Sequence, residues 1–511
     1  MMLAKVNSVS LLGLETFSVL VEADISNGLP AFDIVGLPDT AVRESKERVK
    51  AALKNSGFHV PSRRIVVNLA PADLRKDGTL FDLPIAVALL VATEQMVLPD
   101  EFVDSVFFGE LSLDGSVSPV NGVLPLVNGI GKIQKNSMVF VPYDNRREAA
   151  LDERVSVYPV KDLKSLARFF QGEEQMIREI PQKESFDFST GTFAGYVDMK
   201  DIKGQHSAKR AMEIAAAGGH NILMIGVPGS GKTLLARSLP TILPPLTRDE
   251  ALECTCIYSL AGELGGDYLI KERPFRAPHH TSSAVSLIGG GAYPKPGEIS
   301  MAYHGVLFLD EMVEFPKNVL QVLRQPLEDK VIHISRAIGA FTFPADFQLV
   351  GACNPCPCGY RGDPEKQCHC SESQVKRYQG KLSGPLLDRI DLHIEVNRVT
   401  FSELHGEGKE ESSTVVRERV MAARAIQLKR YEDLGFSTNA ALDRRYLDTF
   451  CALDSESAHI MEKVFQKLHL SARAHDRILK VARTIADLNG DADISGTHIM
   501  EAVQYRSLDR S

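Results

Sequence analysis

Asn221-Ile222-Leu223-Met224-Ile225-Gly226-Val227-Pro228-Gly229-Ser230-Gly231-Lys232-Thr233 is the stretch that decides the fold. After Asn221, Ile222 to Ile225 form a short apolar run, and the five together have the pattern of a buried strand. They lead directly into G-x-x-x-x-G-K-T, spanning Gly226, Val227, Pro228, Gly229, Ser230, Gly231, Lys232 and Thr233, and Leu234 to Leu239 continue as a helical pattern. Strand, glycine-rich loop and helix in that order predict a phosphate-binding loop. The glycines let backbone N–H groups turn inward around a β-phosphate, and the helix adds the positive end of its dipole. Lys232 is the expected partner of the β- and γ-phosphates and Thr233 of Mg2+, so ATP and Mg2+ are the expected cofactors. A chance glycine-rich turn is the plain alternative, and the flanking strand and helix argue against it.

Moving outward, Gly305-Val306-Leu307-Phe308-Leu309 is a second buried-strand pattern, and it ends in Asp310-Glu311. Parallel sheets bind ligands at the C-terminal edges of their strands. Asp310 is expected in the Mg2+ shell and Glu311 to polarise the attacking water; the bland alternative is a solvated acidic turn. A third strand, Phe347 to Cys353, ends at Asn354. That amide is placed to position the water or sense the γ-phosphate, unless it only forms a turn. Arg389, in Leu386-Leu387-Asp388-Arg389-Ile390-Asp391, precedes a fourth run, Leu392 to Val396. An arginine supplied to a neighbouring subunit's phosphates is worth roughly 10³–10⁵ in rate. Arg473, in the C-terminal region, is the candidate for phosphate contact within its own subunit. Taken alone, each arginine reads as a surface ion pair; the ordered set is what promotes them.

The whole chain bounds these readings. At roughly 150 residues per domain, 511 residues make about three domains. With 44% hydrophobic and 24% charged residues, the composition is globular. Lys+Arg is 58 against 66 Asp+Glu, a net charge of −8. That excludes a protein coated in basic charge but leaves room for a local basic channel. No apolar run is long enough to cross a membrane, and no small-residue cleavage site follows the N-terminal stretch. Residues 1–170 alternate strand patterns, such as Phe17 to Ala23 and Arg64 to Leu69, with helical ones, such as Pro84 to Val91. The acidic segment 171–198 reads as a linker, 199–400 as the nucleotide-binding core, and 401–511 as a helical domain. Two stripes support the last: Val416, Val420, Ala423 and Gln427, then Ala474, Ile478, Val481, Ile485 and Leu488.

Five of the eight cysteines crowd into residues 353–370. Such clustering points to a metal in a reducing cytoplasm rather than to disulfides. Tetrahedral Zn2+ needs four ligands, and Cys356, Cys358, Cys368 and Cys370 are taken as the set, with a structural role. Cys353 sits on the strand end, and His369 is a conceivable substitute. Contact with DNA is weakly encoded. Arg273, Arg276, His279, His280, Lys295 and Arg336 are the local basic candidates. Arg417, Arg419, Arg424, Lys429 and Arg430 read instead as a solvated face or as ion pairs to the core.

The motif order resembles the AAA+ ATPases: phosphate loop, acidic strand end, sensor Asn354, arginine finger Arg389, then a helical lid carrying Arg473. The segment from Arg273 to Thr281 and from Gly289 to Gly297 looks like the helix-2 insertion of magnesium-chelatase motors and MCM helicases. Ser383 to Asp391 is similar to their arginine-finger stretch. In the N-terminal region, Lys76-Asp77-Gly78 and Phe108 to Gly122 look like the Lon protease catalytic domain. Where that family has its serine this chain has Leu80, and where its lysine follows it has Leu124 and Leu126, so no proteolysis is implied. The combination resembles the ComM/YifB family over nearly the whole chain. The resemblance implies an α/β protein: an inactive Lon-like α/β domain, a P-loop AAA+ core with its insertion, and an α-helical lid. It also implies a cytoplasmic hexameric helicase that acts on single-stranded and branched DNA, driving branch migration during natural transformation. The central pore of such a ring would repeat each of the local basic candidates once per subunit. The rivals are a chelatase-type metal-insertion motor, a non-proteolytic Lon-like ATPase remodelling proteins, an active protease, and an ATP-binding switch that does not cycle.

Overall fold

The computed structural model describes residues 2–180, 195–291, 294–336, 339–382, 384–401, 403 and 410–506. The expectations placed on 181–194 of the linker, on Ala292 and Tyr293 of the insertion, on Ser383 and on 404–409 lie outside the described residues.

The N-terminal region is built on one mixed seven-stranded sheet. β1 (Met2–Leu12) and β2 (Glu15–Ser26) form a long antiparallel hairpin, Met2 opposite Ile25 and Leu12 opposite Glu15. They are joined by β3 (Ala31–Val35), β4 (Arg64–Ala70), β5 (Val106–Phe107), β8 (Met138–Pro142) and β9 (Ser156–Val160), in the order β3-β4-β2-β1-β5-β8-β9. A small hairpin, β6 (Glu110–Leu111) and β7 (Val117–Ser118), stands apart. Burial alternates along β2 and β4, as expected of strands covered on one face. The helix Asp82–Ala92 begins two residues before Pro84 and packs on β1 and β2. All its side chains but Val91 are buried, and each large apolar one contributes about 1.5–3 kcal/mol. The first part of the acidic segment keeps to this region: Glu179 N donates to the Val157 carbonyl of β9 at 2.9 Å, and its carboxylate meets Arg146 at 3.5 Å.

The second sheet carries the phosphate loop. β10 (Ile222–Ile225), β11 (Phe275–Arg276), β14 (Val306–Leu309), β17 (Gln348–Cys353) and β18 (Leu392–Glu395) are all parallel, ordered β11-β14-β17-β10-β18. β14 and β17 are buried along their whole length, which is why they read as unbroken apolar runs. Two antiparallel hairpins leave this sheet. β12 (Gly289–Gly290) pairs with β13 (Lys295–Pro296), and β15 (Val331–Arg336) with β16 (Gly339–Pro344). The C-terminal helices Ser413–Arg430, Ser455–Leu468, Ala472–Asn489 and Gly496–Gln504 share one hydrophobic core with the sheet. Val416, Val420 and Ala423 of the first stripe and Ala474, Ile478, Val481 and Ile485 of the second are buried in it.

The two sheets are fastened through the helix Arg248–Ala261, which a Thr247/Glu250 capping box starts. Leu124 and Leu151 pack with Leu246, Ala251 and Cys254. The buried Glu148 carboxylate accepts from Leu124 N at 2.8 Å and from the Ser259 hydroxyl. Burial pushes that carboxyl up, and the two donors oppose the shift. Leu124, which the Lon resemblance sets against that family's lysine, is therefore an interface side chain. Leu126 is fully buried and Leu80 half-buried, and none of the three offers a nucleophile or base.

Candidate functional site

The phosphate loop leaves the C-terminal end of β10 and enters the helix Lys232–Ile242. Gly226 has to be glycine because a Cβ would lie 2.3 Å from the Val396 carbonyl oxygen. Gly231 caps the helix at φ +92°, a left-handed conformation that disfavours a side chain. A Cβ on Gly229 or Gly231 would meet nothing within 4 Å, so the mouth of the loop is open. Lys232 is only 9% exposed. Its Nζ donates to the carbonyls of Gly226 at 2.6 Å and Val227 at 3.0 Å, and approaches Asn354 Oδ1 at 3.4 Å. Burial pushes its ammonium down, opposed by the Asp310 and Glu311 carboxylates.

The acidic end of β14 faces the same edge. Thr233 Oγ1 donates to Asp310 Oδ2 at 2.9 Å. A hydroxyl and a carboxylate oxygen so close are a hard-ligand pair that suits Mg2+, with nucleotide phosphates completing the shell. Glu311 follows in a left-handed conformation, φ +48°, with its side chain about half exposed. His280 Nδ1 lies 3.3 Å from Glu311 Oε2, and the His279 ring lies 4.1 Å from that of His280, tilted by 33°. The histidine beside Glu311 was not legible in the sequence, where His280 read only as a pore candidate. Asn354 follows β17, whose last carbonyl, on Cys353, accepts from Gly226 N at 3.1 Å. Lys232, Thr233, Asp310, Glu311 and Asn354 thus converge at one edge of the sheet.

The two arginines are held by partners outside that cluster. Arg389 is 12% exposed, donates to the Pro385 carbonyl and pairs with Glu328. Asn221, at the foot of β10, donates to the Arg389 carbonyl at 3.0 Å and accepts from Leu349 N at 2.8 Å, which ties the arginine's backbone to the sheet. Arg473 stands in the first turn of the helix Ala472–Asn489, which the Ser471 hydroxyl caps. It is 66% exposed and lies 3.8 Å from Asp388. Arg477, one turn on, pairs with the buried Asp391, which also bonds His220 Nδ1 at 3.1 Å. Burial alone would raise the Asp391 carboxyl, but Arg477 and His220 hold it well below the usual carboxylate range.

Family models described as "Magnesium chelatase, subunit ChlI", "Subunit ChlI of Mg-chelatase" and "Magnesium chelatase, subunit ChlI C-terminal" match residues 198–404, 21–145 and 410–506. The competence protein ComM of Haemophilus influenzae is 43% identical over 100% of this chain and 98% of its own. The YifB proteins of Salmonella typhimurium and Escherichia coli are each 42% identical with the same coverage. The chain belongs to the ComM/YifB family.

Within this family's magnesium-chelatase-like AAA+ architecture, several basic residues have structural jobs instead of the pore positions expected of them. Arg273 donates to the carbonyls of Pro244, Pro245 and His304 and pairs with Glu250. Arg276 makes a bidentate pair with Glu298 and a second with Glu263. Each is an internal tie, and neither guanidinium is left over for a phosphate backbone. Lys295 on β13 and Arg336 at the end of β15 remain exposed, and the two hairpins touch: a Cβ on Gly290 would lie 3.3 Å from an Arg336 nitrogen. On the helix Ser413–Arg430, Arg419 pairs with Glu213 and Glu411, Arg424 donates to the Ala216 carbonyl and Arg430 pairs with Asp487. Those are lid contacts to the core and within the lid.

Four of the crowded cysteines come together. The sulfurs of Cys356, Cys358, Cys368 and Cys370 lie within 4.8 Å of one another. Cys353 lies outside the group, at the end of β17, where burial pushes its thiol up to about 12. Cys254, Cys256 and Cys451 are buried singly. Among the described residues, no helix is long and apolar enough to cross a membrane.

Proposed function

We propose that the protein is an ATP-hydrolysing ring motor that remodels DNA and drives branch migration of single-stranded and branched substrates in natural transformation. The observation that carries the hydrolytic part is the meeting of Lys232, Thr233, Asp310, Glu311 and Asn354 at the C-terminal edge of a parallel sheet. The DNA part is supported by identity over the full length with a protein named for competence. Bound ATP and Mg2+ supply the phosphoryl group and the charge that neutralises it. Residues 226–233 cradle the phosphates, Lys232 exchanging its carbonyl partners for phosphate oxygens. Thr233 and Asp310 hold the metal. Glu311 orients the attacking water once it leaves His280, and Asn354 senses the γ-phosphate. Arg389 serves a neighbouring subunit after release from Glu328, and Arg473 reaches phosphate within its own.

In this reading residues 1–170 form the protease-inactive Lon-like domain, 171–198 the linker, 199–400 the motor and 401–511 the lid. The working form is a cytoplasmic hexamer. Zn2+ at Cys356, Cys358, Cys368 and Cys370 is structural. The decisive experiment is the ATPase rate with and without a branched DNA junction, with the oligomeric state measured in both conditions. Junction-stimulated turnover by a ring is expected; a monomer hydrolysing ATP at full rate, indifferent to DNA, sinks the proposal. A chelatase-type metal-insertion motor is the second reading, favoured by the three subunit ChlI matches. Metal insertion into a porphyrin, without junction unwinding, would select it.

A further inference from the structure

Residues 355–371 leave the sheet edge beside Asn354 and return to the helix Glu372–Gln379 without forming any strand or helix. A segment of that kind has little to offset the entropy of ordering it unless something staples it. The four cysteines are the available staple. Cys356 Sγ lies 3.4 Å from Cys358 Sγ and 3.7 Å from Cys368 Sγ, and Cys358 and Cys368 are 3.6 Å apart. A covalent S–S bond is about 2.05 Å, so these are not disulfides. Four thiolates around one Zn2+ at about 2.3 Å would have sulfur–sulfur edges of about 3.8 Å; the three edges among Cys356, Cys358 and Cys368 are close to that, and Cys370 Sγ lies within 4.8 Å of each. Cys358, Cys368 and Cys370 are partly exposed, so the group is not an apolar core that happens to contain sulfur. A soft, all-sulfur tetrahedral set selects Zn2+ over the hard cations of the phosphate site.

The loop this ion would fix lies against the nucleotide site on two sides. Gly359, at φ +85°, comes so close to the phosphate loop that a Cβ would sit 2.9 Å from Pro228 Cγ. Farther along, Asp363 and Glu365 pair with Arg398 at 3.2 Å and 2.7 Å. Arg398 adjoins Asn397, whose carbonyl accepts from Gln205 Nε2 at 2.5 Å, and the same amide donates to the Ser230 carbonyl at 3.1 Å. The segment therefore bears on Pro228 directly and reaches Ser230 through Arg398, Asn397 and Gln205. We propose that Cys356, Cys358, Cys368 and Cys370 bind one Zn2+, and that this ion braces the phosphate loop from outside, making nucleotide affinity dependent on the metal. The coupling rests on the reading of residues 226–233 as the nucleotide cradle; the metal site does not.

The test uses the full-length protein, its zinc counted by mass spectrometry and its affinity for a fluorescent ATP analogue measured by titration. One zinc per chain is expected, none in the C356S/C358S double variant, and an analogue Kd at least about tenfold weaker in that variant. If the double variant does not fold, Gly359→Ala and Arg398→Ala carry the test, since both leave the four sulfurs in place. Each should retain its zinc yet bind the analogue several-fold more weakly. Wild-type protein without zinc, or holding iron in its place, overturns the metal site. Zinc-free protein, or a zinc-loaded Gly359→Ala variant, that binds the analogue with wild-type affinity overturns the brace. Zinc-loaded wild-type protein that binds no analogue overturns the nucleotide cradle and the coupling with it, while the metal site stands.

Discussion

Lys76 in the N-terminal region and Lys232 in the phosphate loop are both buried, and each ammonium donates to two backbone carbonyls. Lys76 reaches Pro71 and Leu74, the latter at 2.7 Å; Lys232 reaches Gly226 and Val227. Burial pushes both ammonium groups down. Their surroundings differ. Lys76 is fully enclosed, and its own backbone is pinned by Leu37 and Asp39 at 3.2 and 2.9 Å. Lys232 opens past Gly229 and Gly231 toward Thr233, Asp310 and Glu311. Desolvation alone prepares either lysine to prefer an anion, but only the second has room for one beside metal-ligating oxygens. The surroundings of Lys76 leave no such room, and Leu80, half-buried, and Leu124 and Leu126, buried, add no polar group.

Breaking the active side of this comparison should give the largest effect. Glu311→Gln is expected to bind ATP with near-normal affinity while turnover falls by about 10²–10⁴, the usual worth of a positioned base; single-turnover ATPase assays check this. Lys232→Ala should weaken nucleotide binding by about 100-fold, as expected from losing charge-assisted hydrogen bonds of roughly 1.5–3 kcal/mol; equilibrium titration reads it. Lys76→Met should do the reverse. Two carbonyls lose their donor at about 1–3 kcal/mol each, so the melting temperature falls while ATP affinity holds.

A pH experiment sharpens the contrast on the enclosed side. Asp77, next to Lys76, has its carboxyl pushed up to about 6 by burial and by the neighbouring Asp39. The folded state holds that proton more tightly than the unfolded chain, so stability is lost as pH rises from about 4 through 6. Asp77→Asn should therefore raise the melting temperature at pH 7.5 by a few degrees, on the order of 1–2 kcal/mol, and leave it unchanged at pH 4. The smallest effect on stability belongs to Arg473→Ala, whose expected outcome is a loss of turnover with the melting temperature held. A 66% exposed arginine 3.8 Å from Asp388 adds under about 1 kcal/mol to folding. A drop in turnover larger than threefold would thus report contact with nucleotide and not loss of packing.

Much of the site was legible because its parts are local. Each of Lys232, Asp310 and Asn354 follows an apolar run closely enough that the strand's end dictates the residue's place. The arginines were legible as residue types but not in their partners. Arg273 and Arg276 read as free cations because Pro244, Glu250 and Glu298 are distant in sequence, and the pairing exists only after β11 is laid beside β14. The contact of His280 with Glu311 was hidden for the same reason. The choice among the clustered cysteines was legible, because Cys353 falls on the end of the β17 pattern, and the structure groups the other four.

The order of apolar runs, glycines and charged ends determined the parallel sheet, its phosphate loop and the helical tail, because strand burial and turn geometry act between near neighbours. Tertiary structure alone decided which buried lysine faces open space, which arginines are tied down and which loop presses on Pro228. Those outcomes depend on groups brought together across long stretches of chain, and a side chain's charge becomes available or spent only when its partner arrives.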